Sequence, residues 1–128
     1  MNTTWQSFLE QANAKIINDR VIDFGHPDDE LSNSQKTVIA DLSHYGLIKA
    51  LGDDATDFLQ NQLSNDIKLV NESRSQLSSY CSPKGRILAS FRIFQFNGVY
   101  LLRLPIDTLE ATLKRLQMFV MRSQVTLE

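Results

Sequence analysis

Charged and reactive side chains gather at a few places along the chain. Pro83-Lys84-Gly85-Arg86, inside YCSPKGRILASFRIF (residues 80–94), puts two cations on a tight corner. Two cations so placed can hold a carboxylate or phosphate through charge-assisted hydrogen bonds. The turn itself requires only Pro83, which presets the first central torsion, and Gly85, which accepts the left-handed conformation. The charges of Lys84 and Arg86 are therefore spare, for a ligand or for solubility. His26-Pro27-Asp28-Asp29-Glu30 offers an imidazole and three carboxylates, but its spacing matches no calcium loop, and it reads as a solvated acidic loop. His44 has no Cys or Ser partner nearby and reads as a turn histidine. Cys81 would need a base and a lowered pKa to act as a nucleophile, and neither is identifiable, so it reads as a small half-buried apolar group. No Ser-His-Asp order, phosphate-binding glycine loop or HExxH stretch is present.

The elements that must position these residues follow from periodicity. TTWQSFLEQANAKI reads as a helix, with Thr3 and Gln6 as a capping box and Trp5, Phe8, Leu9, Ala12 and Ile16 on one face. A polar, acidic connection follows, broken at Gly25 and Pro27, with one short strand at Val21 to Phe24. TVIADLSHYGLIKALG holds two β-rich runs around Ser43 and His44. Gly52-Asp53-Asp54 starts a short helix, capped by an Asp carboxylate, in which Phe58 and Leu59 face the core. SRSQLSSYC reads as a strand leading into the Pro-Lys-Gly-Arg corner as a bulged hairpin. On the return strand Ile87, Ala89, Phe91 and Ile93 share one face; Arg86, Leu88, Ser90 and Arg92 share the other. Asn97-Gly98 then makes a two-residue hairpin into VYLLRLP. Pro105 ends that strand and opens a helix with a buried stripe at Ile106, Leu109, Leu113, Leu116 and Val120, and SQVTLE begins a final strand. The order is α+β: an antiparallel sheet with helices on one face.

Size and composition bound the answer. A chain of 128 residues, 42% hydrophobic, fits one globular domain. Its apolar runs are too short to span a bilayer, its start lacks a secretory pattern, and one cysteine allows no internal disulfide. These features point to the cytoplasm. The net charge of −2 hides an asymmetry, for residues 1–82 carry 6 basic and 12 acidic side chains, while 83–128 carry 7 basic and 3 acidic. A basic third attracts anions, or simply faces water. Ending on a strand suggests a fragment of a longer protein.

Several segments in fixed order resemble one family. ADLSHYGLIKALGDDATDFLQNQLSNDI, YCSPKGRILASFRIF and LKRLQMFVMRSQVTL are similar to motifs of the YgfZ-type folate-binding proteins, relatives of the aminomethyltransferase (T-protein) of the glycine cleavage system. The likeness covers roughly residues 36–127. It implies a ferredoxin-like βαββαβ unit at residues 36–128, the N-terminal part of a T-protein-like folate-binding domain, with residues 1–35 a helix plus connection. It also implies a cytoplasmic, monomeric accessory protein. Tetrahydrofolate would be its cofactor, and iron–sulfur enzymes, including those that modify tRNA, its partners, with tRNA as a further candidate partner.

Tyr45 matches the aromatic position that the family sets against folate, and Lys84 and Arg86 match its Lys-Gly-Arg corner. These are the expected cofactor contacts. The T-protein carries Gly-Gly-x-x-Asp-Asp, whose Asp serves aminomethyl transfer. Here Lys84 to Ala89 contain no carboxylate, so the resemblance implies folate binding without transferase chemistry and with no catalytic residue. The family's Lys-Gly-Cys signature is absent, so Cys81 takes no such role. Two alternatives stand: an aminomethyltransferase-like enzyme, and an RNA-binding module whose stacking residues would come from Phe94, Phe96 and Tyr100.

Overall fold

A computed structural model describes residues 2–128. The chain divides into two compact units, the first ending at His44 and the second running Tyr45–Glu128.

In the first unit, α1 (Thr3–Gln11) begins on Asn2, whose side-chain oxygen accepts from the N–H groups of Thr4 (3.0 Å) and Trp5 (3.2 Å). The cap is thus Asn2, not the expected Thr3–Gln6 box. The helix ends early because Asn13 turns to a φ of 63°, so Ile16 leaves the helical stripe for β1 (Lys15–Ile17). β2 (Arg20–Asp23) pairs antiparallel with β1 across Asn18 and Asp19, at φ of 51° and 60°. Both central residues are left-handed, the signature of a two-residue hairpin turn. The acidic stretch is not a loop but a short helix, α2 (Pro27–Ser32), with Asp28, Asp29 and Glu30 in its first turn, where helix N–H groups favour negative charge.

Residues 36–42 form no strand, contrary to the expected β-run. Asp41 explains part of this. Its carboxylate accepts from the Trp5 indole N–H (2.9 Å), the Ser43 N–H (2.9 Å) and the Ser43 hydroxyl, a local turn that competes with sheet pairing. Burial raises the Asp41 pKa, but those bonds and the charge of His44 outweigh it and hold the carboxyl below its usual range.

The second unit is built on β3 (Tyr45–Leu51), α3 (Ala55–Gln62), β4 (Gln76–Cys81), β5 (Ile87–Phe96), β6 (Val99–Pro105), α4 (Ile106–Gln117) and β7 (Thr126–Leu127). The strands form one antiparallel sheet in the order β4-β5-β6-β3-β7. Leaving out β4, the order β5-β6-β3-β7 is that of the ferredoxin-like βαββαβ unit, to which β4 is added as an outer strand. Asn97 (φ 49°) and Gly98 (φ 75°) make the expected hairpin turn between β5 and β6. Gly85 (φ 74°) closes the β4–β5 corner, where the Ser82 N–H donates to Arg86 O (2.8 Å) and the register shifts beside Cys81.

Alternation does the rest. Ile48, Ala89, Phe91, Ile93, Leu102 and Leu104 point to one side and are buried with Phe58, Leu59 and Leu116 from the helices. Truncating one of the fully buried side chains, such as Leu59, to alanine costs about 2–5 kcal/mol. The outer edge of β4 is covered by residues 63–65. The Ser64 N–H donates to Ser79 O (2.9 Å), the Ser64 hydroxyl accepts from the Ser79 N–H (3.0 Å), and the Asn65 amide donates to Leu77 O (2.9 Å).

The corner after β3 is fixed differently from the expected cap. Asp54 gives no side-chain bond to its own helix; its Oδ2 accepts from the Gln124 N–H at 2.6 Å, fastening the entry to β7. Gly52 sits at φ 121°, and a Cβ there would meet the Gln124 carbonyl oxygen at 2.2 Å. Gly98 also has positive φ but open space around it. Gly52→Ala should therefore destabilise the protein by clearly more than Gly98→Ala, for which the left-handed backbone alone costs about 1–2 kcal/mol. Equal shifts in urea unfolding midpoints would show that the Gln124 contact yields at no cost.

Candidate functional site

The helices cover one face of the sheet, and the other face carries the site. A shallow cavity of about 700 Å³ spreads over it. Tyr45 of β3, Leu77 and Ser79 of β4, Ser90 and Arg92 of β5, and Arg103 of β6 line it from the open side, each alternating with a buried neighbour.

A row of four residues runs across the strands on this face, three of which, Arg103, Arg92 and Leu77, line the cavity. Leu47 stands opposite Arg103, Arg103 opposite Arg92, and Arg92 opposite Leu77. The two outer leucines are 51% and 63% exposed, an apolar frame around two guanidinium groups. Arg92 and Arg103 are backbone partners whose side chains turn apart, Arg103 toward Tyr45 of β3 and Arg92 toward Ser75 just before β4. No Asp or Glu lines the cavity to offset them.

Tyr45 and Arg103 are joined. The Arg103 guanidinium carbon lies 4.5 Å from the centre of the Tyr45 ring, a cation–π contact that fixes both planes. Arg103 Nε is buried without a hydrogen-bond acceptor among the described residues. Arg92 is exposed and donates from Nη1 to Ser75 Oγ (3.1 Å).

Of the residues singled out from sequence, Tyr45 is on the cavity wall. Lys84 and Arg86 lie on the exposed β4–β5 turn and are not among its lining residues. Arg86 shares the open face with Arg92, but six residues of strand separate them by roughly 20 Å. Cys81 is half-buried at the end of β4, with Sγ 3.8 Å from Ser79 Oγ. Of the three aromatic candidates for base stacking, Tyr100 is buried and shares a hydrogen bond with Thr56 (3.0 Å), whereas Phe96 is exposed at the hairpin end. Among the described residues, no group of three or more His, Cys, Asp and Glu could hold a metal ion, and no helix is long and apolar enough to cross a membrane.

The Arg92–Arg103 pair is what sequence reasoning missed. The signal was present: a two-residue turn at Asn97-Gly98 pairs Phe96 with Val99, and counting outward pairs Arg92 with Arg103.

No protein-family model matches the chain. It is 29% identical over 98 residues to the tRNA-modifying protein YgfZ of Colwellia psychrerythraea, covering 77% of this chain and 30% of that protein. It is 31% identical over 87 residues to the tRNA-modifying protein YgfZ of Vibrio atlanticus, covering 68% and 27%. The chain thus spans under a third of the length of these relatives. In fold it is similar to the glycine cleavage system aminomethyltransferase T of Bartonella henselae, with a TM-score of 0.73 at 19% identity over 96% of this chain and 36% of that one.

Arg103 keeps a buried Nε with no acceptor among the described residues, which costs the fold free energy. Arg103→Leu should therefore leave the urea midpoint unchanged or raise it. A loss of more than about 1 kcal/mol would mean that the contact with the Tyr45 ring outweighs the unpartnered donor.

Proposed function

We propose that this YgfZ-like chain binds tetrahydrofolate on the open face of its sheet and serves, as an accessory protein, iron–sulfur enzymes that modify tRNA. The observation that carries this reading is the cavity around Tyr45. A pterin is flat and apolar on its faces, and an aromatic ring held in plane by Arg103 offers it a fixed surface for stacking. The protein acts in the cytoplasm as a monomer, and this chain supplies the N-terminal part of a larger folate-binding domain whose core unit starts near residue 36.

Group transfer is disfavoured by the same cavity. Moving an aminomethyl group onto the folate amine calls for a carboxylate that can orient or accept a proton. In the Lys84 to Ala89 stretch Leu88 lies on the open face and Ala89 is buried in the core, and neither can do this. Binding without transfer is the chemistry these side chains suit.

Lys84 and Arg86 take a separate part. Exposed on a turn that adjoins the cavity lining at Ile87 without entering it, they suit a polyanion arriving from solvent, such as the phosphates of tRNA.

Tyr45→Ala should weaken tetrahydrofolate binding by about 1 kcal/mol or more, as read by calorimetry; unchanged affinity would remove the ring from the site. For Lys84→Ala/Arg86→Ala, the plot of log affinity for tRNA against log salt should become shallower by up to about 2, one for each phosphate no longer neutralised. An identical slope would return both cations to solvent.

A further inference from the structure

We propose that the aromatic pocket of the first unit receives an arginine side chain from a basic, partly apolar segment of a partner protein. Folate binding plays no part in this, for every lining residue of that pocket belongs to the first unit.

The walls combine rings with one carboxylate. Trp5 and Phe8, three residues apart on α1 and so neighbours on its surface, stack with ring centres 5.2 Å apart and planes 18° from parallel. Phe24 and Ile39 extend the apolar lining, and Asp41 adds its charge. α1 buries Leu9, yet Trp5 is 38%, Phe8 52% and Ile39 83% exposed. Large apolar side chains left in water around a hollow mark an interaction site. A second anion stands close by, since Glu30 Oε1 accepts from the Phe24 N–H at 2.6 Å.

Size narrows the occupant. The hollow holds about 160 Å³, whereas cofactor-sized ligands take roughly 300–1,000 Å³. One long side chain is the fitting scale.

Asp41 sets the sign. Its Oδ1 accepts from the Trp5 indole N–H, and its Oδ2 from the Ser43 N–H and hydroxyl. A carboxylate has about four acceptor positions, so one is left for a visitor. Burial raises the Asp41 pKa, but these bonds and the charge of His44 outweigh it, and the group is an anion at neutral pH. Aromatic faces beside an anion attract a cation through both ring and charge. A guanidinium suits them better than an ammonium, because it is flat enough to lie along a ring while one N–H reaches the carboxylate. Residues 1–44 hold 7 acidic and 3 basic side chains. That surplus repels nucleic acid and steers a basic protein segment toward the pocket.

Trp5 is the only tryptophan of the chain, so its indole N–H gives a single resonance that reports on the pocket. The test titrates the 128-residue chain with the peptide acetyl-Gly-Leu-Arg-Leu-Gly-amide, and with the same peptide carrying citrulline, neutral and of equal shape, in place of arginine. The arginine peptide should shift the indole resonance to saturation and bind about fivefold or more tightly than the citrulline peptide. Asp41→Asn keeps an acceptor for the indole but removes the charge, and should bring the arginine peptide down to the citrulline value. Phe8→Ala should weaken both peptides. Equal affinity of the two peptides for the native chain would reduce the pocket to an apolar patch and overturn the proposal. So would the lack of a saturable shift with either peptide, or full arginine preference in Asp41→Asn. Should Asp41→Asn disturb the first unit, the comparison of the two peptides on the native chain decides by itself.

Discussion

A strand repeats its side-chain direction every second residue, and this sheet has helices for only one of its faces. That limit governs the rest. Leu102 of β6 meets Ile48 on one side and Ile93 on the other, all three fully buried. One residue further along, the same three strands put Leu47, Arg103 and Arg92 in a row toward the open side. The hydrophobic gain on the first row, about 1.5–3 kcal/mol for each fully buried aliphatic side chain, holds the second row in place. A slip of one residue would carry both arginines into the core and the aliphatic residues into water. The register that builds the core is therefore the register that builds the cavity.

The second unit was largely legible because its signals are local and agree with one another. Asn97-Gly98 announces a hairpin, β5 alternates cleanly from Ala89 to Ile93, and α4 carries its stripe up to the buried Leu116. The first unit was harder. Asn18-Asp19 takes the same left-handed turn without a glycine to advertise it, so a hairpin passed for a connection. Asp54 was misjudged for a different reason, since its carboxylate spends itself on the Gln124 N–H, seventy residues away, and no local pattern reports a partner that distant. The open face fell between these cases. Each arginine was visible in its own strand, but their meeting depends on a count across the turn.

Charge separates the two faces as sharply as polarity does. Residues 83–128 hold most of the basic side chains, yet these do not form one patch. Lys84 and Arg86 stand on a solvent-facing turn, Arg92 and Arg103 stand in a cavity wall, and Lys114 pairs with Glu110 at 2.6 Å along a helix. The cavity pair has no acid among the lining residues to offset it. A basic C-terminal third is thus several unlike features with one sum.

The strip at residues 63–65 has a further effect. An outermost strand with bare N–H and C=O groups is a template on which a second molecule can lay its own strand, and sheets grow into insoluble assemblies by that route. Here Ser64 and Asn65 occupy the Ser79 and Leu77 backbone groups that such an invader would need. The same two residues line the cavity. The protein thus keeps its edge from polymerising with side chains that also border the cavity, so a substitution there acts on solubility and on the cavity wall together.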